Sequence, residues 1–371
     1  MKLAMGAGVP DRVPVMCQLS IGHMLLQTGL SATAFWNSAG IFAEGLLNLR
    51  KSYSFDGILV SLHGHSPDWE KRIARVDKEV DGEVVHWKNG DKTVFPPDDL
   101  PLHFPAVERA VPSLSDLDPR SIPEEVDFIP VSQGLDFSID PEHCFDSIDL
   151  IVARAGAEHS VHGEVTSPFD YYLRHFGHTQ ALIGLVEGPG LAKEVLERYT
   201  EGIVRLACGL VAHRVDAVKV SSPFAGSGFI SPQFYREFVM PYESRIAGAV
   251  RGLGIPAYIH TCGAIDDRLE MMVGAGFSGI ECLDPPPLGN VELADAKRRV
   301  GSRAFIKGNI DPVHVLLGGT VERVRLDAKL RLEAGKPGGG YILSTACSIA
   351  PRTPRENIQV LAEVADESGT Y

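Results

Sequence analysis

Short apolar runs rich in β-branched residues alternate along the chain with longer stretches whose apolar positions recur every three or four residues. The first pattern predicts buried strands and the second predicts amphipathic helices. Strands are expected at Val13–Cys17, Gly57–Leu62, Ser160–Val165, Ala217–Ser221, Pro256–His260, Gly279–Cys282, Arg303–Lys307 and Tyr341–Ser344. Helices are expected at Leu191–His213, Pro232–Leu253, Ile265–Gly274, Val321–Ala334 and Pro354–Glu367, among others. Ser231-Pro232 opens one of them with proline free to take the first turn, and Gly254 follows its end.

Eight strands alternating with helices, with no linker between halves, predict an α/β fold: a (β/α)8 TIM barrel forming a single domain over residues 1–371. An open doubly wound sheet lacks support, because no G-x-G-x-x-G follows the first strand. Residues 75–97 break the rhythm. There "GEVVHWKNGDKTVF" alternates around Asn89-Gly90, a favourable two-residue turn, which predicts a β-hairpin inserted after the second strand. The Pro-, Ser- and Asp-rich run Val111–Glu125 then reads as an irregular crossover.

A net charge of −13, with no long basic run, argues against binding nucleic acid or anionic lipid. No apolar run approaches the ~20 residues needed to span a bilayer. The start "MKLAMGAGVPDRVPV" has no secretory pattern, so the expected location is cytoplasmic. In a reducing compartment six cysteines are core residues, ligands or nucleophiles and not a disulfide framework.

In a barrel the loops after the strands share one face. His260 and Cys262 end the fifth expected strand, Glu281 ends the sixth, and Cys347 follows the eighth. Two thiols, an imidazole and a carboxylate form a donor set suited to Zn²⁺. The competing reading is ordinary: buried free cysteines beside a satisfied histidine, with Glu281 orienting a helix end. His63 and His65 in "LHGHSPDW" face the same mouth as candidate acids, or as loop histidines bonded to backbone. Asn309 and Asp311 in "GNIDP" are candidates for positioning a ligand or substrate, or are simply turn formers.

The stretches "DRVPV", "GEVTSPFDYYLRHFG", "VDAVKVSSPFAGSGFISPQFYREFVMPY", "YIHTCG", "FIKGNIDP" and "GGYILSTACSIAPRTPRENI" span nearly the whole chain. Together they resemble the uroporphyrinogen decarboxylase superfamily, and within it the zinc-dependent methyltransferases that work with a corrinoid. In that branch the H-x-C motif and a distant cysteine hold zinc; they fall here on His260, Cys262 and Cys347. Cobalamin-independent methionine synthase, a more distant relative, adds a glutamate between them, where Glu281 is similarly placed. The decarboxylase branch carries R-Q-A-G-R after its first strand, where this chain reads Cys17-Gln18-Leu19-Ser20-Ile21, and G-H-G where this chain has Ala346-Cys347-Ser348. The resemblance thus implies methyl transfer between a small donor, such as a methyl ether, and the cobalt of a transiently docked corrinoid protein. Transfer from the corrinoid to a thiol acceptor is the alternative, and a decarboxylase-type lyase stands further off.

Overall fold

The computed structural model describes residues 1–371 apart from 81, 108–111 and 132–133. Asp81, inside the expected hairpin insertion, and Val111, at the start of the expected crossover, lie outside the described residues. Seven parallel strands form one curled sheet in chain order: Gly57–Val60, Ser160–Thr166, Ala217–Ser221, Ala257–Thr261, Gly279–Cys282, Phe305–Ile310 and Tyr341–Thr345. Nearly every residue in them is buried, because helices such as Pro189–Ala212, Met240–Gly252 and Val321–Gly335 cover the outside of the sheet.

The segment Val13–Cys17, expected as a strand, makes one isolated bridge, Val15 with Leu343, and no ladder. Leu343 N–H donates to Pro14 O, Met16 N–H to Leu343 O and Asp56 N–H to Val15 O, so the segment lies between the two ends of the sheet. Two features prevent regular pairing. Pro14 has no N–H to give, and the Val15 N–H is taken by the Asp56 carboxylate at 2.7 Å.

Two other expectations need correction. The insertion is not a simple hairpin. Gly82–Trp87 and Lys92–Phe95 do pair across Asn89-Gly90, but Ile73–Glu79 and Leu102–Phe104 flank them in a four-stranded antiparallel sheet. The helix expected at Pro232–Leu253 is two helices, Pro232–Phe238 and Met240–Gly252. Pro241 cannot donate to the carbonyl one turn back, and Val239 leaves helical geometry at φ −122°, ψ −60°.

Period-two alternation builds the inside of the sheet in layers. Met16, Leu59, Ala217, Tyr258, Phe305 and Ile342 form a compact apolar floor, closed from below by Ala4 and Met5 of the helix Lys2–Met5. Two residues further along their strands stand Lys219, His260 and Lys307, joined by Glu164 and Glu281. A charged layer therefore sits directly on the apolar one.

Near the mouth, neighbouring loops are tied by Arg268, which is fully buried. Its guanidinium donates to the carbonyls of Ala225 and Ile230 and pairs with Asp267 at 2.8 Å. Arg268→Met keeps the apolar stem but strands both carbonyls, each costing about 1–3 kcal/mol when left buried and unpaired. A fall in thermal midpoint of several degrees is expected by calorimetry; an unchanged midpoint would deny Arg268 this tie.

Candidate metal centre

The strand Ala257–Thr261 carries His260 in the charged layer and delivers Cys262 one step higher, at the mouth. Gly263, at φ 76°, then turns the chain away in a backbone conformation that suits glycine. Cys347 arrives from the loop after Tyr341–Thr345. His260 Nε2 lies 3.3 Å from Cys262 Sγ, and the two sulfurs of Cys262 and Cys347 are 3.7 Å apart. The donor atoms of His260, Cys262 and Cys347 all fall within 4.8 Å of one another.

These distances can be compared with those a metal requires. Tetrahedral zinc with bonds of about 2.3 Å to sulfur and about 2.0–2.1 Å to nitrogen separates two sulfurs by about 3.8 Å, and sulfur from nitrogen by about 3.6 Å. The observed 3.7 and 3.3 Å match that geometry closely. One imidazole nitrogen and two thiols also suit zinc chemically.

Glu281 does not join them. Its Oε2 accepts from His260 Nδ1 at 3.0 Å, so it stands behind the ring, on the side away from the cysteines. Lys219 lies 3.2 Å from the same oxygen, and Lys307 donates to the other. Burial would push the Glu281 carboxyl up, but Lys219 and Lys307, followed by His260, hold it well below the usual carboxylate range. Lys219 in turn contacts Glu164 at 3.2 Å and donates to Gln18 Oε1. The carboxylate is thus ionised and pinned, and it fixes the His260 ring with Nδ1 toward Glu281 and Nε2 toward Cys262 Sγ. A ligating histidine is commonly fixed in this way by a carboxylate on its other nitrogen.

The remaining expected site residues have other occupations. His63 has both ring nitrogens 3.2 Å from backbone carbonyls, those of Cys144 and Glu164, and burial pulls it down to about 4. His65 has no hydrogen-bond partner and packs between the rings of Phe42 and Phe137; burial, then His63, pulls it down to about 3. Neither is a proton donor near neutral pH. Asp311 caps the helical turn Pro312–Leu317, accepting from the N–H groups of Val313 and His314 at 2.8 Å. Asn309 donates to Leu283 O at 2.8 Å and accepts from Arg331. Among the described residues, no hydrogen bond runs from any of these four to the His–Cys–Cys cluster.

Sequence reasoning passed over several groups that the fold brings in. Cys282 and Asp284 lie with Cys262 in a second set of donor atoms within 4.8 Å. The Cys282 thiol donates to Asp284 Oδ2 at 3.2 Å, and the Gly263 N–H donates to the same oxygen at 2.6 Å. Asp284 Oδ1 is buried without a partner. Cys282 and Leu283 are successive non-glycine residues with positive φ, 85° and 55°. Such a conformation costs about 1–2 kcal/mol per residue. Asp170 and Glu243 are further buried carboxyls; burial pushes Glu243 up to about 7 and Asp170 well above the usual range, and Asp170 Oδ2 has no partner. For Lys219 and Lys307, also passed over, the sequence signal was a lone charge inside an apolar strand, in "AVKVS" and "FIKGNI".

The chain is 30% identical over 222 residues to methylcobamide:CoM methyltransferase MtaA of Methanosarcina barkeri, a match covering 60% of this chain and 62% of that enzyme. It is 25% identical over 360 residues to methylcobamide:CoM methyltransferase MtbA of Methanosarcina mazei, covering 96% and 93% of the two chains. A solved methyltransferase from Methanosarcina mazei shares the fold, with a TM-score of 0.72 over 98% of this chain and 96% of that one, at 19% identity. Residues 103–368 match the sequence profile described as Uroporphyrinogen decarboxylase (URO-D), and by that match the chain belongs to the URO-D family.

Proposed function

We propose that this protein is a zinc-dependent methyltransferase that moves a methyl group from the cobalt of a corrinoid protein to a small thiol. The observation carrying the reading is the His260–Cys262–Cys347 cluster at zinc-like spacing. When bound there, zinc would lower the pKa of a thiol and so supply a thiolate nucleophile at neutral pH. His260, Cys262 and Cys347 would hold the ion, leaving a position toward the open mouth for substrate. Glu281, fixed by Lys219 and Lys307, keeps the His260 ring in one tautomer and one orientation.

The names of MtaA and MtbA support the thiol as acceptor. His63 and His65, which would have favoured cleavage of a methyl ether by supplying an acid, are pulled down by burial to about 4 and about 3, and His63 lies against backbone carbonyls. One observation favours the ether reading as a second possibility: Asp170 is buried with an unpartnered oxygen, and burial pushes its carboxyl well above the usual range, as suits an acid. Taking Val13–Cys17 as an eighth stave closes the sheet into a (β/α)8 barrel, whose mouth would receive the corrinoid protein. Among the described residues no helix is long and apolar enough to cross a membrane.

Mixing the protein with a methylated corrinoid protein and a panel of thiols should demethylate the cobalt, visible as a change in corrinoid absorbance. Transfer from methyl ethers to reduced corrinoid, with none to thiols, would reverse the direction. Metal analysis should find about one zinc per chain. Cys347→Ser should weaken zinc binding by more than the ~10–100-fold typical of losing an outer partner, while Glu281→Gln should fall within that range. Equal zinc affinity in all three proteins, measured by competition with a chelating dye, would contradict this assignment.

A further inference from the structure

We propose that Asp170 binds the far end of the acceptor thiol, and that this end donates a hydrogen bond, as a hydroxyl or an ammonium does, and carries no anion. The inference rests on the thiol reading above and adds to it the chemistry of the acceptor.

Asp170 stands in the first turn of the helical segment Pro168–Glu187, which starts at the mouth directly after the strand Ser160–Thr166. Two backbone bonds fix where that start lies. Ser167 N–H donates to Ser221 O at 2.7 Å, and Ser222 N–H donates to His260 O at 2.8 Å. The helix therefore begins on the same rim as His260, two strands away. Glu243 secures this start from behind: its Oε1 accepts from Ser167 Oγ at 2.8 Å and its Oε2 from Tyr235 OH at 3.3 Å. Burial, then Glu243, pushes the Asp170 carboxyl up, and His260 acts the other way, so the side chain lies where the imidazole is felt.

Capping does not account for this carboxyl. Ser167 already caps the helix, accepting from the Phe169 N–H at 3.3 Å. Nor does an ion pair along the helix. Arg174, one turn on, is held by Asp136 through bonds of 2.7 and 2.9 Å. The neighbouring hydroxyls are turned elsewhere, Tyr171 donating to Phe128 O at 2.7 Å and Tyr172 to Ala181 O at 2.9 Å. Asp170 is 4% exposed, and its Oδ2 has no partner. Buried polar atoms are rarely left in this state, because it costs stability. The free oxygen is an acceptor waiting for a donor.

A thiol bound through its sulfur at the metal directs its other end into the mouth. A hydroxyl or ammonium there would satisfy Asp170 Oδ2. A sulfonate or carboxylate would need a cation to be buried with it. Lys219 and Lys307 are committed to Glu281, and Arg174 to Asp136. Asp170 is thus a specificity residue that selects the acceptor by its far end.

The test is calorimetric binding of four thiols of similar length to the zinc-loaded full chain: mercaptoethanol, aminoethanethiol, propanethiol and mercaptoethanesulfonate. The first two should bind ~10-fold or more tighter than the last two, as one buried hydrogen bond to a carboxyl allows. Whichever of the first two binds tighter identifies the natural end as hydroxyl or ammonium. Asp170→Ala should bring both down to the level of propanethiol with zinc content unchanged. Should Asp170→Ala fail to fold, Asp170→Asn, which keeps an acceptor but not the charge, should retain mercaptoethanol binding and lower that of aminoethanethiol. Tightest binding of mercaptoethanesulfonate, or a ranking that survives Asp170→Ala, would overturn the role of Asp170 and leave the methyltransferase reading intact. The expected ranking without methyl transfer from a methylated corrinoid protein to any of the four would overturn that reading instead.

Discussion

The structure depends on a carboxylate held between two ammonium groups. Glu281 sits on the apolar floor of the sheet with Lys219 and Lys307 against it, at a depth where an unpaired charge would be prohibitive. Removing one member leaves the others uncompensated, so the layer is set as a unit. A buried ion cluster of this kind contributes little net stability compared with an apolar replacement of the same volume. Its contribution is positional: the imidazole of His260 is fixed from behind while its other nitrogen stays available at the mouth.

From that constraint the rest of the centre follows by register. Strand parity carries Tyr258 into the floor, His260 into the charged layer and Cys262 to the rim, so one strand links the core to the chemistry. Cys347 completes the cluster from a loop 85 residues away in sequence. The loops themselves are tied to each other by Arg268, a charge shared between two backbone carbonyls and the Asp267 carboxylate. Rigid strands and cross-tied loops together keep the sulfurs at a spacing that suits an ion.

The sequence disclosed much of this and missed particular parts for physical reasons. Seven of the eight expected strands are present, since β-branched runs buried on both faces leave a strong pattern. The first, Val13–Cys17, keeps its place but not its ladder, because pairing depends on the Asp56 carboxylate and on Pro14. His260, Cys262 and Cys347, which the fold brings together, could be picked out because they are residue types suited to holding a metal and stand at strand ends. Glu281 was found as well, but its orientation was not. That orientation depends on Lys219 and Lys307, which come from other strands and carry no motif. Cys282 was hidden for a different reason: strand parity alone would face it outward, whereas with left-handed backbone its sulfur lies near Cys262 and Asp284.

The apolar floor has one last effect. Met16, Leu59, Tyr258, Phe305 and Ile342, with Ala4 and Met5 beneath them, seal the lower end of the sheet, so traffic to the centre passes through the rim. A macromolecule seated there would cork the vessel. Small reactants would then have to enter before it docked and depart after it lifted off.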